Sequence, residues 1–198
     1  MEDDKLMSLQ DYDYQQFPYV FATLPGYGTD MTSALRLAVR KTLTDVVGAP
    51  LQYLEIGIWE GRSGCWMLDN VLTHPDSHYL GIDNWTSPSQ VPILARKHLG
   101  YHGIKSEILD GDSKKIVPQL TRTFDIGFVD GDHTENGCYI DLCNVWNKLN
   151  VGGTLIADDY KYPNLPGVHA AIDRFEAEHT DDAVLLFKEM AVVYRKVK

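Results

Sequence analysis

A chain of 198 residues is the size of a single domain and can bury a sizeable core without disulfide or metal staples. Its apolar share of 44% and charged share of 23% are those of ordinary globular proteins, which excludes disordered, collagen-like and membrane-embedded classes. A formal net charge of −10 repels a phosphate backbone, so the expected partner is a small neutral or cationic molecule rather than nucleic acid or a membrane.

The opening Met1-Glu2-Asp3-Asp4 is acidic where a signal peptide is basic, and no apolar run approaches the roughly 18 residues of a spanning helix, so a cytoplasmic protein is expected. Residues 1–30 have no clean period and are read as an arm or lid. The aromatic residues Tyr12, Tyr14, Phe17, Tyr19 and Tyr27 there could pack on the domain, close over a site, or meet a second copy in a homodimer. Residues 31–198 form the domain proper. Thr32 or Ser33 can cap a helix whose apolar positions Leu35, Leu37, Ala38, Leu43 and Val46 run to Gly48-Ala49-Pro50. Leu51 to Ile58 reads as a buried strand, a helix follows from Gly61 to His74-Pro75, and His78 to Asp83 is a second strand.

The pattern repeats: helix at Gln90–Leu99, strand at Ile104–Leu109, short helix at Ser113–Leu120, strand at Phe124–Val129, helix at Glu135–Leu149, and strand at Thr154–Ala157 introduced by Gly152-Gly153. After a helix at Val168–Glu178, the segments Ala183–Lys188 and Ala191–Lys196 are too close in sequence for a parallel crossover and must pair antiparallel. The fold class is therefore α/β: a doubly wound, mainly parallel sheet of seven strands with an antiparallel C-terminal hairpin. Trp66, Trp146, Cys138 and Leu142 fall at helical spacings and read as core. Cys65, Cys138 and Cys143 read as free thiols, while Trp59 and Trp85 follow strand ends, where they either flank a ligand or half-bury in loops.

Glu55-Ile56-Gly57-Ile58-Trp59-Glu60-Gly61-Arg62-Ser63-Gly64 lies between the first strand and its helix, where open α/β sheets bind ligands. Gly57 and Gly61 allow a tight turn, and Ser63 with the free N–H groups of the helix can hold an anionic group. The glycine spacing is not that of the dinucleotide fingerprint, and Glu55 would stand unfavourably beside a pyrophosphate. Asp83 closes the second strand about 20 residues on, where a carboxylate accepts ribose hydroxyls. Asp112 and Ser113 follow the third strand and suit an adenine amino group, with a plain helix cap an equal reading for Asp112.

The order E-x-G-x-x-x-G-x-S, then I-D, then G-D-S resembles class I S-adenosylmethionine methyltransferases. That resemblance implies cofactor contacts from Glu55, Gly57, Ser63, Asp83 and Asp112, and Gly61, Ser113 and Asp130 are expected to join them. At the next two strand ends stand Asp130-Gly131-Asp132-His133 and Asp158-Asp159-Tyr160. Asp158 and Asp159 can serve one site only if the strand has already broken there. Converging carboxylates call for a raised pKa, a basic partner or a hard divalent cation, of which the cation is favoured. This half resembles the macrocin-type sugar O-methyltransferases over about residues 50 to 196. The resemblance implies magnesium on Asp130, Asp158 and Asp159, and methyl transfer to a hydroxyl of a small molecule. Asp130 ranks above His133 as the base that takes the hydroxyl proton. The competing readings are a metal-independent methyltransferase, a nucleotide-dependent oxidoreductase on the same sheet, and a nucleoside-binding protein without chemistry.

Overall fold

Side chains alternate across a strand, and here the alternation feeds two separate cores. The computed structural model describes Tyr19, Phe21, residues 33–86 and residues 90–198. Strand β1 (Gln52–Ile56) sends Tyr53 to one face, among Trp66, Tyr79 and Leu99, and Leu54 and Ile56 to the other, among Leu142, Trp146 and Val129. A strand covered on both faces reads as a continuous apolar run, as the sequence does here.

The remaining elements follow in chain order. Helix α1 (Ser33–Thr42) precedes β1, and α2 (Arg62–Asn70) leads to β2 (His78–Asp83). Next come α3 (Gln90–Gly100), β3 (Ser106–Asp110), α4 (Ser113–Gln119) and β4 (Phe124–Val129). The chain ends with α5 (Glu135–Lys148), β5 (Leu149–Ala157), α6 (Pro166–Glu178), β6 (Ala183–Lys188) and β7 (Val192–Lys196). The sheet order is β3-β2-β1-β4-β5-β7-β6. β1 to β5 run parallel, while β7 lies antiparallel to both β5 and β6. Core residues of α1, α2 and α3 share one face, and those of α4, α5 and α6 share the other. This is the doubly wound seven-stranded sheet with a C-terminal hairpin that the sequence predicts.

Several boundaries move for local reasons. α1 stops at Thr42, four residues before Val46, and Leu43 stays buried beyond the helix end. Ser33 lies within the helix as its first residue. β1 ends at Ile56 because Gly57 turns the chain at φ +88. The third strand begins at Ser106: Gly103, at φ +58, winds residues 103–105 into a short 3₁₀ turn that leaves Ile104 96% exposed. β5 begins five residues early, with Gly152 and Gly153 inside it. A break in register against β4 between Phe124 and Ile126 marks a bulge that absorbs them.

Cys65 and Cys138 are buried and Cys143 half-buried, all as free thiols. Burial pushes Cys138 up to about 12, so it behaves as a small hydrophobe rather than a nucleophile. Among the described residues no helix is long and apolar enough to cross a membrane.

Trp146 anchors the α5–α6 face. It is 1% exposed, donates its indole N–H to Asp182 at 3.0 Å and meets Phe175 edge-on with centroids 5.4 Å apart. Trp146→Ala is expected to cost about 3–5 kcal/mol in denaturant unfolding. Trp146→Phe, which loses the hydrogen bond and little packing, is expected to cost roughly 1 kcal/mol.

Candidate active site

A cavity of about 920 Å³ opens at the carboxyl ends of the parallel strands. Its walls are the residues that follow β1 (Gly57 to Glu60), β2 (Asp83, Asn84), β3 (Gly111 to Lys114), β4 (Asp130 to His133) and β5 (Asp158, Asp159). The two motif groups read from the sequence thus face one space. Ser33, Ala34 and Leu35 of α1, Tyr162, Asn164 and Leu165 beyond β5, and Met190 of the terminal hairpin complete it.

The donor half is built by backbone turns. Gly57, at φ +88, carries no side chain because a Cβ there would stand 1.9 Å from the Asp130 carbonyl oxygen. The loops after β1 and β4 can therefore touch. Trp59 continues the turn at φ 49 and Gly61 at φ +81. Asp83 holds this turn in place: one carboxylate oxygen accepts the N–H groups of Ile58 at 2.8 Å and Trp59 at 2.9 Å, and the other accepts that of Trp85 at 2.7 Å. Trp85 donates its indole N–H to the Trp59 carbonyl at 3.1 Å, so each of these tryptophans is tied to its loop.

The predicted cofactor residues separate into three sets. Gly57, Ser63, Asp83, Asp112, Ser113 and Asp130 line the cavity. Glu55 does not: it is fully buried beneath Ser63, whose hydroxyl donates to it. Burial raises its carboxyl to about 8, against the pull of the Ser63 and Tyr79 hydroxyls, so at neutral pH it is largely protonated. Gly61 also stands back from the cavity and packs toward the Leu99 side chain. Asp112 serves as the cap of α4, accepting from the Lys114 N–H at 3.1 Å. Sequence reasoning passed over Asp141, a buried residue of α5 that lines the cavity, and over the Lys114–Asp132 ion pair at 2.7 Å. Partial burial acts upward on Asp132, but the ammonium of Lys114 and the Thr134 N–H and hydroxyl bring it down to about 2.

At the opposite end Asp130, His133 and Asp159 each offer a ligand atom, and these atoms lie within 4.8 Å of one another. The strand break that the sequence required is present: β5 ends at Ala157 and Asp159 adopts φ 62. Asp158 lines the same cavity outside that group, with a carboxylate oxygen accepting the Asp159 N–H at 2.9 Å. The imidazole Nε2 stands 3.7 Å from Asp130 and 3.5 Å from Asp159, placing His133 between the two carboxylates. Withdrawal from water and then the negative charge of Asp130 raise Asp159 to about 6, and withdrawal from water also raises Asp130. The Asp130 carboxylate beside it raises His133. Acids that hold protons tightly and a histidine drawn between them fit a pocket that accepts a cation, and the oxygen donors suit a hard divalent one.

An α/β sheet with this strand order, a reversed terminal hairpin and a nucleoside-sized cavity at its carboxyl edge defines a Rossmann-like methyltransferase fold. A family model described as a methyltransferase domain matches residues 54–160, and the chain belongs to that family. Uncharacterized protein R132 of Acanthamoeba polyphaga mimivirus is 30% identical over 136 residues, 65% of this chain and 60% of that protein. The match spans about three fifths of that relative's length. CalS11, a TDP-rhamnose 3'-O-methyltransferase of calicheamicin biosynthesis, superposes with a TM-score of 0.61 at 17% identity, covering 98% of this chain and 92% of CalS11. An rRNA methylase from Streptococcus thermophilus superposes with a TM-score of 0.64 at 11% identity, covering 85% and 99%. At such identities these likenesses establish the fold alone.

Two outcomes test the site. Gly57→Ala is expected to displace the Asp130 carbonyl and lower S-adenosylhomocysteine affinity at least tenfold in calorimetry, since no rotamer relieves a Cβ clash with backbone. The second concerns pH. Because Asp130 and Asp159 are raised in the folded protein, the native state binds protons more tightly than the unfolded chain. Their contribution to stability falls as pH rises from the ordinary carboxylate range through about 6. Added MgCl2 or MnCl2 is therefore expected to raise the melting temperature at pH 7.5, to do little at pH 5, and to lose its effect in Asp159→Asn.

Proposed function

We propose that the protein transfers the methyl group of S-adenosylmethionine to a hydroxyl of a small, uncharged molecule, with a divalent cation at Asp130 and Asp159. The observation that carries this reading is one shared cavity, with the glycine turn and Asp83 at one end and two carboxylates with a histidine at the other. The family supports methyl transfer, and the acid group supports oxygen as acceptor, because an alcohol needs help to lose its proton whereas the sulfonium leaves as a neutral thioether.

In this reading Asp83 receives the ribose, while Gly57 lets the donor chain pass close to the backbone. When bound by Asp130 and Asp159, a divalent cation would supply the positive charge that lowers the pKa of a hydroxyl beside it. Asp158 orients Asp159 through its N–H. The acceptor oxygen attacks the methyl carbon in line with the C–S bond; the O–C bond forms as the C–S bond breaks, and sulfur keeps the electron pair. His133 takes the proton at Nε2. It is a better base here than Asp130, whose carboxylate is needed for the cation.

The walls weigh against an anionic acceptor. Asp130, Asp132, Asp158 and Asp159 face the cavity, Lys114 is held by Asp132, and Arg62 stacks over Phe21 at 4.7 Å. Leu35, Leu165 and Met190 add an apolar side. Such a site disfavours RNA despite the shared fold with an rRNA methylase.

His133→Ala is expected to lower kcat by about 10²-fold or more with S-adenosylhomocysteine affinity unchanged, and wild-type kcat is expected to rise with pH along one limb as the imidazole loses its proton. Activity that survives both this substitution and exhaustive chelation would overturn the proposal. Loss of donor binding in His133→Ala would place that residue in the nucleoside half instead.

A further inference from the structure

We propose that Asp141 is the group that reads the donor's adenine, accepting the exocyclic amino group on its second carboxylate oxygen. This rests on the reading of the cavity as an S-adenosylmethionine site. Asp141 lies in the second turn of α5 and is 1% exposed, so water satisfies little of it. Its Oδ1 accepts the Ser113 hydroxyl at 2.6 Å. Its Oδ2 is buried with no hydrogen-bond partner among the described residues. A buried carboxylate oxygen left unpaired costs more than an apolar side chain of similar shape in the same place, so an acid here implies a donor that arrives from outside the chain.

The geometry narrows what that donor is. Asp141 lines the same cavity wall as Ser113 and Gly131, between the loops that follow β3 and β4. Gly131 carries no side chain, and a Cβ there would stand 3.6 Å from Oδ2, so the glycine keeps the wall beside that oxygen thin. The other carboxylates nearby are already used. Asp112 accepts the Lys114 N–H and stands 3.6 Å from the Lys115 ammonium. Asp132 accepts from Lys114 and from the N–H and hydroxyl of Thr134. Asp141 alone of the three keeps an oxygen without a partner among the described residues. Burial raises its carboxyl to about 6, which leaves it largely ionised at neutral pH and a strong acceptor for an N–H donor. The adenine amino group fits that demand. A hypoxanthine base, which presents a carbonyl oxygen at the same position, sets acceptor against acceptor.

Calorimetry with S-adenosylhomocysteine and S-inosylhomocysteine, which differ in that one group, tests the assignment. Wild-type protein is expected to prefer the adenine compound by about 10- to 100-fold. Asp141→Asn, whose amide can donate to the carbonyl, is expected to reduce the preference to within about threefold, while Asp112→Asn leaves it in place. Asp141→Ala gives the same loss of preference and serves if Asp141→Asn does not fold. Equal binding of both compounds by wild-type protein overturns the assignment while leaving the donor site standing, as does a preference that disappears in Asp112→Asn and persists in Asp141→Asn. A protein that binds neither compound overturns the assignment together with the donor reading beneath it.

Discussion

The contact on which the site depends is the one between the turn after β1 and the end of β4, where the α-carbon of Gly57 leaves no room for a side chain against the Asp130 carbonyl. The two strands pair in parallel, with Ile56 beside Val129, and the Asp130 N–H donates to the Ile56 carbonyl at 2.9 Å. That pairing brings the glycine turn and the Asp130 loop to the same height at the sheet's edge. A parallel sheet gathers its strand ends on one side, and the topological reversal beside β1 opens a crevice there. Neither half of the site would face the other if these two turns were held further apart.

Much of this was legible in the residues. Uninterrupted apolar runs marked the central strands, and the short link between Ala183–Lys188 and Ala191–Lys196 required a hairpin, because a crossover cannot be made in so few residues. Acids at successive strand ends pointed to one crevice, since strand ends of a parallel sheet converge. Where the reading failed, it failed on features that depend on tertiary contact. The glycines before Thr154 look like a turn in isolation, yet the bulge against Phe124 and Ile126 takes them into the strand. Ile104 looks like the start of a strand, but the turn at Gly103 places it outside.

The site residues show the same division. Asp141 sits mid-helix, where a lone acid ordinarily marks a solvated face, and only its burial against Ser113 distinguishes it. Glu55 carries the expected motif position but props Ser63 from below instead of facing the cavity. A sequence motif specifies where along a strand an acid stands; the packing beneath it decides whether that acid touches a ligand or another side chain. The same holds for Tyr19, whose hydroxyl lies 2.8 Å from His102 Nε2, in the turn that follows α3. Tyr12, Tyr14, Phe17 and Tyr27 lie outside the described residues.

The three backbone N–H groups gathered by Asp83 stiffen the wall that any ligand of this cavity meets. A carboxylate already fixed on its own main chain has little rotamer freedom left to lose, and the turn it pins has little backbone freedom either. Association then proceeds against a stiff wall, so a larger part of the contact free energy survives as affinity. The same rigidity leaves the turn little room to adapt to ligands of different shape.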